Sequence, residues 1–238
     1  MTEPLFRTAP YAQSCDSTVA RLTETGGVVV AASVFYPTGG GQPGDTGTLR
    51  WQGGEAAVVD TRKDGDTDVA LILAEGAPAP APGTPVTMVL DWERRHRHMR
   101  VHTALHLLSV VIPLPVTGGA IGVDKGRLDF DMPEAPEDKQ RIEDALNALI
   151  ARNLAVTDSW ISDAELDANP GLVKTMSVSP PRGQGRVRLV RIGTADEQVD
   201  LQPCGGTHVA ATAEIGRVTL GKIEKKGKQN RRVSVILG

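Results

Sequence analysis

The chain has 238 residues, of which 40% are hydrophobic and 23% are charged, a balance that supports a buried core and excludes extended disorder. The formal net charge of −3 excludes a surface that is basic throughout, although a local basic patch could still bind nucleic acid. The chain contains two cysteines, no apolar run at its start and no long apolar segment, so we expect a cytoplasmic protein. In that compartment a thiol near a histidine is more often metal-binding or catalytic than disulfide-bonded.

Short β-branched runs separated by Gly, Asp and Pro predict a small β-barrel or sandwich in the first part of the chain. The runs lie at residues 26–34, 48–51, 56–60, 68–74 and 85–92. The Ala- and Pro-rich stretch 76–85 is interpreted as a loop inside this β-domain, because a strand follows it directly.

The pattern then changes to helices and strands. Residues 93–112 contain neither Pro nor Gly and carry an apolar stripe at helical spacing, which predicts a long helix. A second helix is predicted at about 137–154. A third begins at Ser162, where Glu165 completes a capping box, and ends before Pro170. Strands are predicted at 126–131, 155–160, 186–192, 215–223 and 232–237. The predicted class is therefore α+β.

The change of pattern also gives the expected domain division. A small β-barrel domain is predicted over residues 1–91, and a mixed α+β domain is predicted over residues 92–238.

Two His and Cys pairs are spaced to share one metal ion. His102 and His106 lie one above the other on the predicted long helix, because residues at i and i+4 share a helix face. Cys204 and His208 have the same spacing in the segment CGGTH, where two glycines let the backbone turn tightly. Three imidazoles and one thiolate suit Zn²⁺ better than Mg²⁺ or Ca²⁺.

These four residues could also serve roles that involve no shared ion. A His pair on a helix can be structural, and a Cys is often a small buried apolar residue. Cys204 and His208 could also form a nucleophile and its base, but such a pair normally needs an orienting Asn or Asp and leaves the helical His pair unused. A joint zinc site accounts for both pairs and is the preferred hypothesis.

The other cysteine and two further histidines of the long helix are not expected to bind metal: Cys15, His96 and His98. We interpret the cysteine as structural. The two histidines step off the face of the metal pair, so we expect them to face solvent or RNA.

Residues 35–47, FYPTGGGQPGDTG, form a glycine-rich segment that matches neither of two common nucleotide-binding loops. No Gly-Lys-Ser/Thr follows it, as a Walker loop requires, and no helix follows it, as a Rossmann loop requires. The simplest interpretation is a flexible hairpin. Thr38, Gln42 and Asp45 nevertheless place polar groups on a glycine scaffold, where backbone amides can approach a small ligand closely.

Basic residues cluster at 92–100 and at 221–232. On a chain of net negative charge these clusters are candidates for contact with phosphates, although a solvated charged surface has the same composition. The candidates are Arg95, Lys225, Lys226, Arg231 and Arg232.

Four segments occur in an order and spacing that resemble a known family. They are FYPTGGGQPGDTG, DWERRHRHMRVHTALHLL, VDLQPCGGTHV and GKIEKKGKQNRR. Together they resemble the AlaX family of free-standing alanyl-tRNA editing proteins, which are similar to the editing domain of alanyl-tRNA synthetase. The resemblance covers nearly the whole chain and is weakest at 50–85 and 113–150. The β-rich first domain and its glycine motif resemble the medium-sized subgroup.

The resemblance implies a fold, a reaction and a set of site residues. The second domain is expected to be an editing domain of the kind shared by alanyl- and threonyl-tRNA synthetases. The expected reaction is hydrolysis of the ester that joins serine, or sometimes glycine, to tRNA(Ala). The resemblance implies one Zn²⁺ per chain on His102, His106, Cys204 and His208. It places Gln42 and Thr38 beside the aminoacyl-adenosine as catalytic residues. The residues expected to bind substrate or tRNA are Gly39, Gly40, Gly41, Asp45, Arg95, Lys225, Lys226, Arg231 and Arg232.

An editing site suits this task because an alanine pocket cannot strongly reject serine, which only adds a hydroxyl. Polar groups that satisfy the serine hydroxyl would be left unpaired by alanine, at a cost of ~1–3 kcal/mol.

Four protein ligands would close a tetrahedral zinc, whereas catalytic zinc usually keeps an open position. The ion could become five-coordinate, lose one ligand, or only anchor the substrate amine. Two other functions are consistent with the sequence: an RNA-binding module with a structural zinc, and a zinc hydrolase acting on a small ester or amide.

Overall fold

The computed structural model describes residues 1–136, 138–175 and 185–238. They form two compact units, Met1–His96 and Arg97–Gly238. The expected division between residues 91 and 92 stays a prediction of where the domains separate. Among the described residues, no helix combines the length and hydropathy that a membrane crossing requires.

A closed antiparallel barrel forms the core of the first unit, whose residues are all described. The elements of this unit are β1 (Glu3–Pro4), α1 (Leu5–Thr8), β2 (Ser14–Leu22), β3 (Val28–Val30), β4 (Ala32–Ser33), β5 (Gly47–Trp51), β6 (Gly54–Asp64), β7 (Asp68–Leu73) and β8 (Pro85–Leu90). Neighbouring strands of the barrel follow the order β2-β3-β7-β6-β5-β8, and β8 pairs with β2 to close the barrel. Outside the barrel, β1 pairs in parallel with β4, and the short helix α1 follows β1.

The barrel interior is aliphatic. Val28, Leu49, Leu71 and Met88 are fully buried in one apolar cluster. Cys15 packs against this cluster, and burial raises the pKa of its thiol, as fits the structural role predicted for it. The predicted β-rich first domain is confirmed as a barrel, and the Ala- and Pro-rich stretch connects two of its strands.

Helix α2 (Trp92–Val111) is the long helix that the sequence predicts at 93–112. It begins after Asp91, whose carboxylate accepts a hydrogen bond from the Arg94 backbone N–H at 3.2 Å. In the second unit the apolar stripe of this helix is buried, with Val101 0% and Leu105 4% exposed. A Cβ on Gly126 would lie 2.5 Å from Cγ1 of Val101, so the helix packs closely against the strand that carries this glycine.

The second unit is mixed α+β, which confirms the predicted class. Its elements are β9 (Val116–Ile121), β10 (Lys125–Asp131), α3 (Lys139–Ala151), β11 (Val156–Ser162), α4 (Asp163–Ala168), β12 (Arg186–Gly193), β13 (Gln198–Pro203), β14 (Val218–Leu220), β15 (Glu224–Lys225) and β16 (Asn230–Leu237). One sheet has the order β14-β16-β10-β9, with β15 also paired to β16, and the other has the order β11-β12-β13 in the described part of the chain. Short 3₁₀ turns occur at Pro170–Leu172 and Thr212–Ile215.

Several predicted boundaries shift for local reasons. Helix α3 begins after Asp138, whose side chain accepts from the Arg141 N–H at 3.0 Å, and the predicted start at residue 137 lies outside the described residues. The capping box of Ser162 and Glu165 on α4 is confirmed. The predicted strand at 215–223 is shorter, because a 3₁₀ turn and the positive φ of Gly216 precede β14.

Candidate metal centre

Four potential metal ligands from two distant segments converge in the second unit. His102 and His106 lie on α2, and Cys204 and His208 lie in the loop after β13. Each offers a donor atom within 4.8 Å of the other three. The three imidazoles are at most 7% exposed, and Cys204 is half-buried. The structure therefore brings together all four residues that the sequence predicts as ligands.

Arg188 on β12 holds the loop that carries two of these ligands. Its guanidinium Nη1 donates to the carbonyl oxygens of Cys204, at 3.2 Å, and of Gly206, at 2.9 Å. Its own backbone carbonyl accepts a hydrogen bond from the Cys204 N–H at 3.1 Å. These contacts fix the backbone of the CGGTH segment, so its thiol and imidazole are presented in a defined arrangement.

Two of the distances between donor atoms match those around one tetrahedral ion. The Cys204 Sγ lies 3.4 Å from Nε2 of His102 and 3.3 Å from Nε2 of His208. Zinc bond lengths of about 2.1 Å to nitrogen and about 2.3 Å to sulfur separate two tetrahedral ligands by about 3.5 Å. The donor chemistry fits a transition metal as well. The cluster could therefore hold a metal ion.

The His106 imidazole is oriented by a buried carboxylate. Its Nδ1 lies 3.0 Å from Oδ2 of Asp200, a side chain with no exposed surface. Gln202 donates to the same oxygen at 2.7 Å, and Lys174 forms an ion pair with Oδ1. Because a carboxylate only accepts hydrogen bonds, Nδ1 of the ring donates to Asp200, which leaves Nε2 as the atom that a metal ion would bind.

The tautomer of His208 follows from the hydroxyl of Thr103. This hydroxyl donates its proton to the Met99 carbonyl at 2.9 Å, so it can only accept from His208 Nδ1, which lies 3.1 Å away. The Val209 N–H donates to the same oxygen at 3.3 Å. His208 is therefore protonated on Nδ1, and its Nε2, the atom close to the thiol, is the available ligand.

Two groups of the cluster are held as anions, which favours cation binding, whereas His106 holds a proton that competes with a cation. Burial opposes the thiolate, but His102 and His208 hold the pKa of Cys204 well below its usual value. Burial likewise opposes the charge on Asp200, yet His106 and Lys174 lower its pKa to about 2. For His106, burial is outweighed by Asp200 and Cys204, which raise its pKa to about 9. A metal ion must therefore displace a proton from this ring, so metal affinity should fall as the pH falls.

The glycine-rich segment of the first unit contains a tight hairpin. Gly39 and Gln42 exchange two backbone hydrogen bonds of 3.0 Å, and Gly40 and Gly41 between them have φ values of 56° and 81°. Positive φ at both central positions is the geometry that glycine favours in hairpin turns. Thr38 at the edge of the hairpin accepts a hydrogen bond from the Gly44 N–H at 2.8 Å. The predicted hairpin is therefore present.

Two predicted substrate contacts form a buried ion pair instead of an exposed surface. Asp45 and Arg95 are each 1% exposed, and the guanidinium Nε lies 3.0 and 2.9 Å from the two carboxylate oxygens. Arg95 also donates to the Val34 carbonyl at 2.7 Å, and Asp45 accepts from the Tyr36 N–H at 2.6 Å. Both side chains stabilise the glycine segment within the first unit, and direct contact with tRNA stays a prediction for them.

The C-terminal basic residues lie on β15, directly after it, and on β16. Lys225 and Lys226 are exposed, and Lys226 forms an ion pair with Glu224 at 2.8 Å. Arg232 makes two hydrogen bonds with Asp129, of 2.8 and 2.9 Å. Arg231, also predicted to contact tRNA, donates to the carbonyls of Asn230 and Pro133.

Known proteins match parts of this chain or nearly all of it. Residues 187–234 match the family model described as "Threonyl and Alanyl tRNA synthetase second additional domain", and residues 9–94 match "tRNA synthetases class II (A)". The alanyl-tRNA editing protein AlaX-M of Methanosarcina mazei is 35% identical over 98% of this chain and 95% of its own length. The chain belongs to the AlaX-M family. A second AlaX-M, from Methanosarcina barkeri, is 36% identical over 98% of both chains. The alanine–tRNA ligase of Pyrobaculum arsenaticum is 35% identical over 94% of this chain but only 25% of the ligase.

Membership of the AlaX-M family confirms the predicted resemblance, and the match at 187–234 confirms an editing-type second domain. The residues that support the ligands were missed from the sequence: Asp200, Lys174, Thr103 and Arg188. Asp200 carried a usable signal, because it lies two residues before Gln202 in a strand that ends just before Cys204, so Asp200 and Gln202 share one face. Lys174, Thr103 and Arg188 make their supporting contacts with segments distant in sequence, so only tertiary packing identifies them.

One prediction about the long helix is wrong. His98 was expected to face solvent or RNA, but it has no exposed surface. A helix that is packed on more than one side buries positions that a single apolar stripe assigns to the surface. His96 is partly exposed and stacks on Trp92 with 5.4 Å between ring centroids.

Proposed function

We propose that this AlaX-M chain is a zinc-dependent deacylase that hydrolyses the ester between serine and tRNA(Ala), with glycine as a second mischarged substrate. The observation that carries the proposal is the buried cluster of three imidazoles and one thiolate, in a chain that matches alanyl-tRNA editing proteins over nearly its full length. Since charged tRNA is used by ribosomes, we expect the activity in the cytoplasm.

The chain's own residues would prepare this site for one ion. His102, His106, Cys204 and His208 would hold it, and when bound it supplies Lewis-acid polarisation of an ester carbonyl or of a water. Asp200 and the hydroxyl of Thr103 keep two of the imidazoles in the tautomer that can act as ligand. Burial of the imidazoles limits competition from bulk water and strengthens electrostatic interactions at the reacting ester.

Selection against alanine requires polar groups that serine satisfies. We keep Thr38 and Gln42 as the residues proposed to contact the aminoacyl group, although Gln42 has no exposed surface. The amides of Gly39, Gly40 and Gly41 lie beside them. Gln42→Ala should slow deacylation of Ser-tRNA(Ala), because a polar group of the substrate left without its partner costs ~1–3 kcal/mol. Binding of uncharged tRNA(Ala), which carries no amino acid, should stay within about twofold of wild type. An equal loss in binding would contradict a role limited to the amino acid.

Exposed lysines are the best supported tRNA contacts among the C-terminal basic residues. Lys225→Ala with Lys226→Ala should weaken tRNA binding and should reduce the slope of log K against log salt concentration by roughly one unit for each phosphate that is no longer neutralised. Arg232→Ala is a less clean test of tRNA binding, because that change also removes a guanidinium partner of Asp129.

The test is hydrolysis of Ser-tRNA(Ala), Gly-tRNA(Ala) and Ala-tRNA(Ala) by purified zinc-loaded protein. We expect rapid loss of serine, slower loss of glycine and sparing of alanine. Loss of serine no faster than without protein would overturn the proposal. Cys204→Ala should remain folded but inactive, whereas unfolding of both this variant and the zinc-free wild type would favour an RNA-binding module with a structural metal.

A further inference from the structure

An exposed tryptophan lies on the strand at the edge of the β11-β12-β13 sheet. Trp160 on β11 is 38% exposed, although large aromatic side chains usually bury most of their surface. The guanidinium carbon of Arg186 lies 4.8 Å from the centre of its ring, within the distance of a cation–π interaction. Arg186 is itself exposed, so the pair presents an aromatic ring and a positive charge to solvent.

The strand register connects this pair to the metal-binding loop. Trp160 is directly opposite Arg188 on β12, and the backbone carbonyl of Arg188 accepts from the Cys204 N–H beyond it. Opposed residues of antiparallel strands project to the same face of a sheet. Two strand spacings of about 4.8 Å put the backbone of Trp160 roughly 10 Å from that of Cys204.

The charges around the ring favour a nucleotide over an apolar partner. Asp158, two residues before Trp160 on the same strand face, lies 3.4 Å from the Arg188 guanidinium and is paired with it. Asp158 thus offsets the charge of Arg188, whereas the positive charge of Arg186 lies beside the ring. A base stacked on an aromatic ring with a phosphate near an Arg is the usual arrangement in proteins that bind single-stranded nucleic acid.

We propose that Trp160 and Arg186 form a subsite for an unpaired nucleotide at the 3′ end of the charged tRNA. The base stacks on the indole, and the guanidinium contacts a phosphate. This position suits one of the last nucleotides, because the ester to be cleaved is on the terminal ribose and must lie at the metal centre. The identity of the RNA rests on the proposed function, whereas stacking of an unpaired base on Trp160 can be tested without it.

The experiment measures binding of two uncharged RNA minihelices, one with an unpaired ACCA tail at its 3′ end and one blunt. The proteins are the wild type, Trp160→Ala, Trp160→Phe and, as control, Ile236→Ala, which truncates a strand residue of similar exposure, 37%. Loss of a stacked base weakens binding by about 5- to 150-fold. We expect that loss for Trp160→Ala with the tailed RNA only, substantial recovery with Trp160→Phe, and no change with Ile236→Ala.

Two further measurements separate this subsite from a structural role. Trp160→Ala should bind zinc with unchanged affinity and should raise KM for Ser-tRNA(Ala) while kcat is retained. Unchanged binding of the tailed RNA by Trp160→Ala would overturn the inference, as would an equal loss for both RNAs or no RNA binding by the wild type. Dissociation of an oligomer by Trp160→Ala, with RNA binding intact, would overturn it in favour of a protein partner. Tail-dependent binding by a wild type that deacylates nothing would leave the subsite standing and remove the proposed function.

Discussion

Replacing Asp200 by Asn tests how the protein prepares His106 for a metal ion. The change is nearly isosteric, but it removes the charge that orients the ring at 3.0 Å. Outer carboxylates of this kind are worth 10- to 100-fold in metal affinity, or about 1.4–2.7 kcal/mol. Lys174 loses its partner but is 29% exposed on its side chain, so its ammonium can turn to water and the fold should survive.

The assay is competition for Zn²⁺ between the protein and a chelator of known affinity, combined with thermal unfolding in excess zinc. Asp144→Asn is the control, because this carboxylate is exposed on α3 and bonds only within that helix to Gln140 among the contacts described. We expect zinc affinity to fall at least about tenfold in Asp200→Asn and to stay unchanged in the control. A folded Asp200→Asn protein with affinity within twofold of wild type would refute the role of this carboxylate in supporting the ligand.

Three further predictions test the site and the fold. Thr103→Val removes the hydroxyl that accepts from the imidazole of the CGGTH loop, so zinc affinity measured by chelator competition should fall about tenfold. Gly44→Ala would bring a Cβ to 2.2 Å from a backbone carbonyl oxygen of the first unit, and should lower the free energy of unfolding in urea by about 2 kcal/mol or more. Burial opposes the charge on Asp129, but Arg232 holds its pKa below the ordinary value, so the pair stabilises the fold above about pH 4 and this stability is lost as the pH falls through the folded pKa. Asp129→Asn should therefore unfold at a lower temperature than wild type at neutral pH, and the two unfolding temperatures should converge in acid.

Each of these has a matched control or a contradicting result. Thr117→Val removes a hydroxyl bonded to a strand carbonyl and should leave zinc affinity unchanged. Gly171→Ala meets no atom within 4 Å and should be neutral in urea. Equal stability of Gly44→Ala and Gly171→Ala, or a stability difference for Asp129→Asn that does not shrink as the pH falls, would contradict the physical reasons given.

The ligands could be predicted from the sequence because their spacing is local. His102 and His106 need only a helix, and Cys204 and His208 need only one loop, so short-range periodicity identifies each pair. The same logic found α2 and the barrel strands rich in valine. It missed β2, whose side chains are mostly polar and exposed, since this strand is specified by pairing with β3 and β8 and not by its own pattern.

Contacts between distant segments could not be predicted in the same way. The pair of Asp45 and Arg95 joins residues that the sequence suggested as separate substrate contacts, and only folding shows that each satisfies the other. Lys174 reaches Asp200 through tertiary packing, and no spacing rule relates the two positions. Sequence patterns therefore identify the chemistry of ligands better than they identify the residues that support them.

The most direct test of the proposed zinc-dependent editing is zinc titration of metal-free protein while deacylation of Ser-tRNA(Ala) is measured in the same sample. We predict that the rate rises in proportion to added zinc and reaches its maximum at one zinc per chain. We also predict that Cys204→Ala, checked to be folded, stays inactive at every zinc concentration. Full activity in the metal-free protein, or a rate that does not change with zinc, would contradict this function.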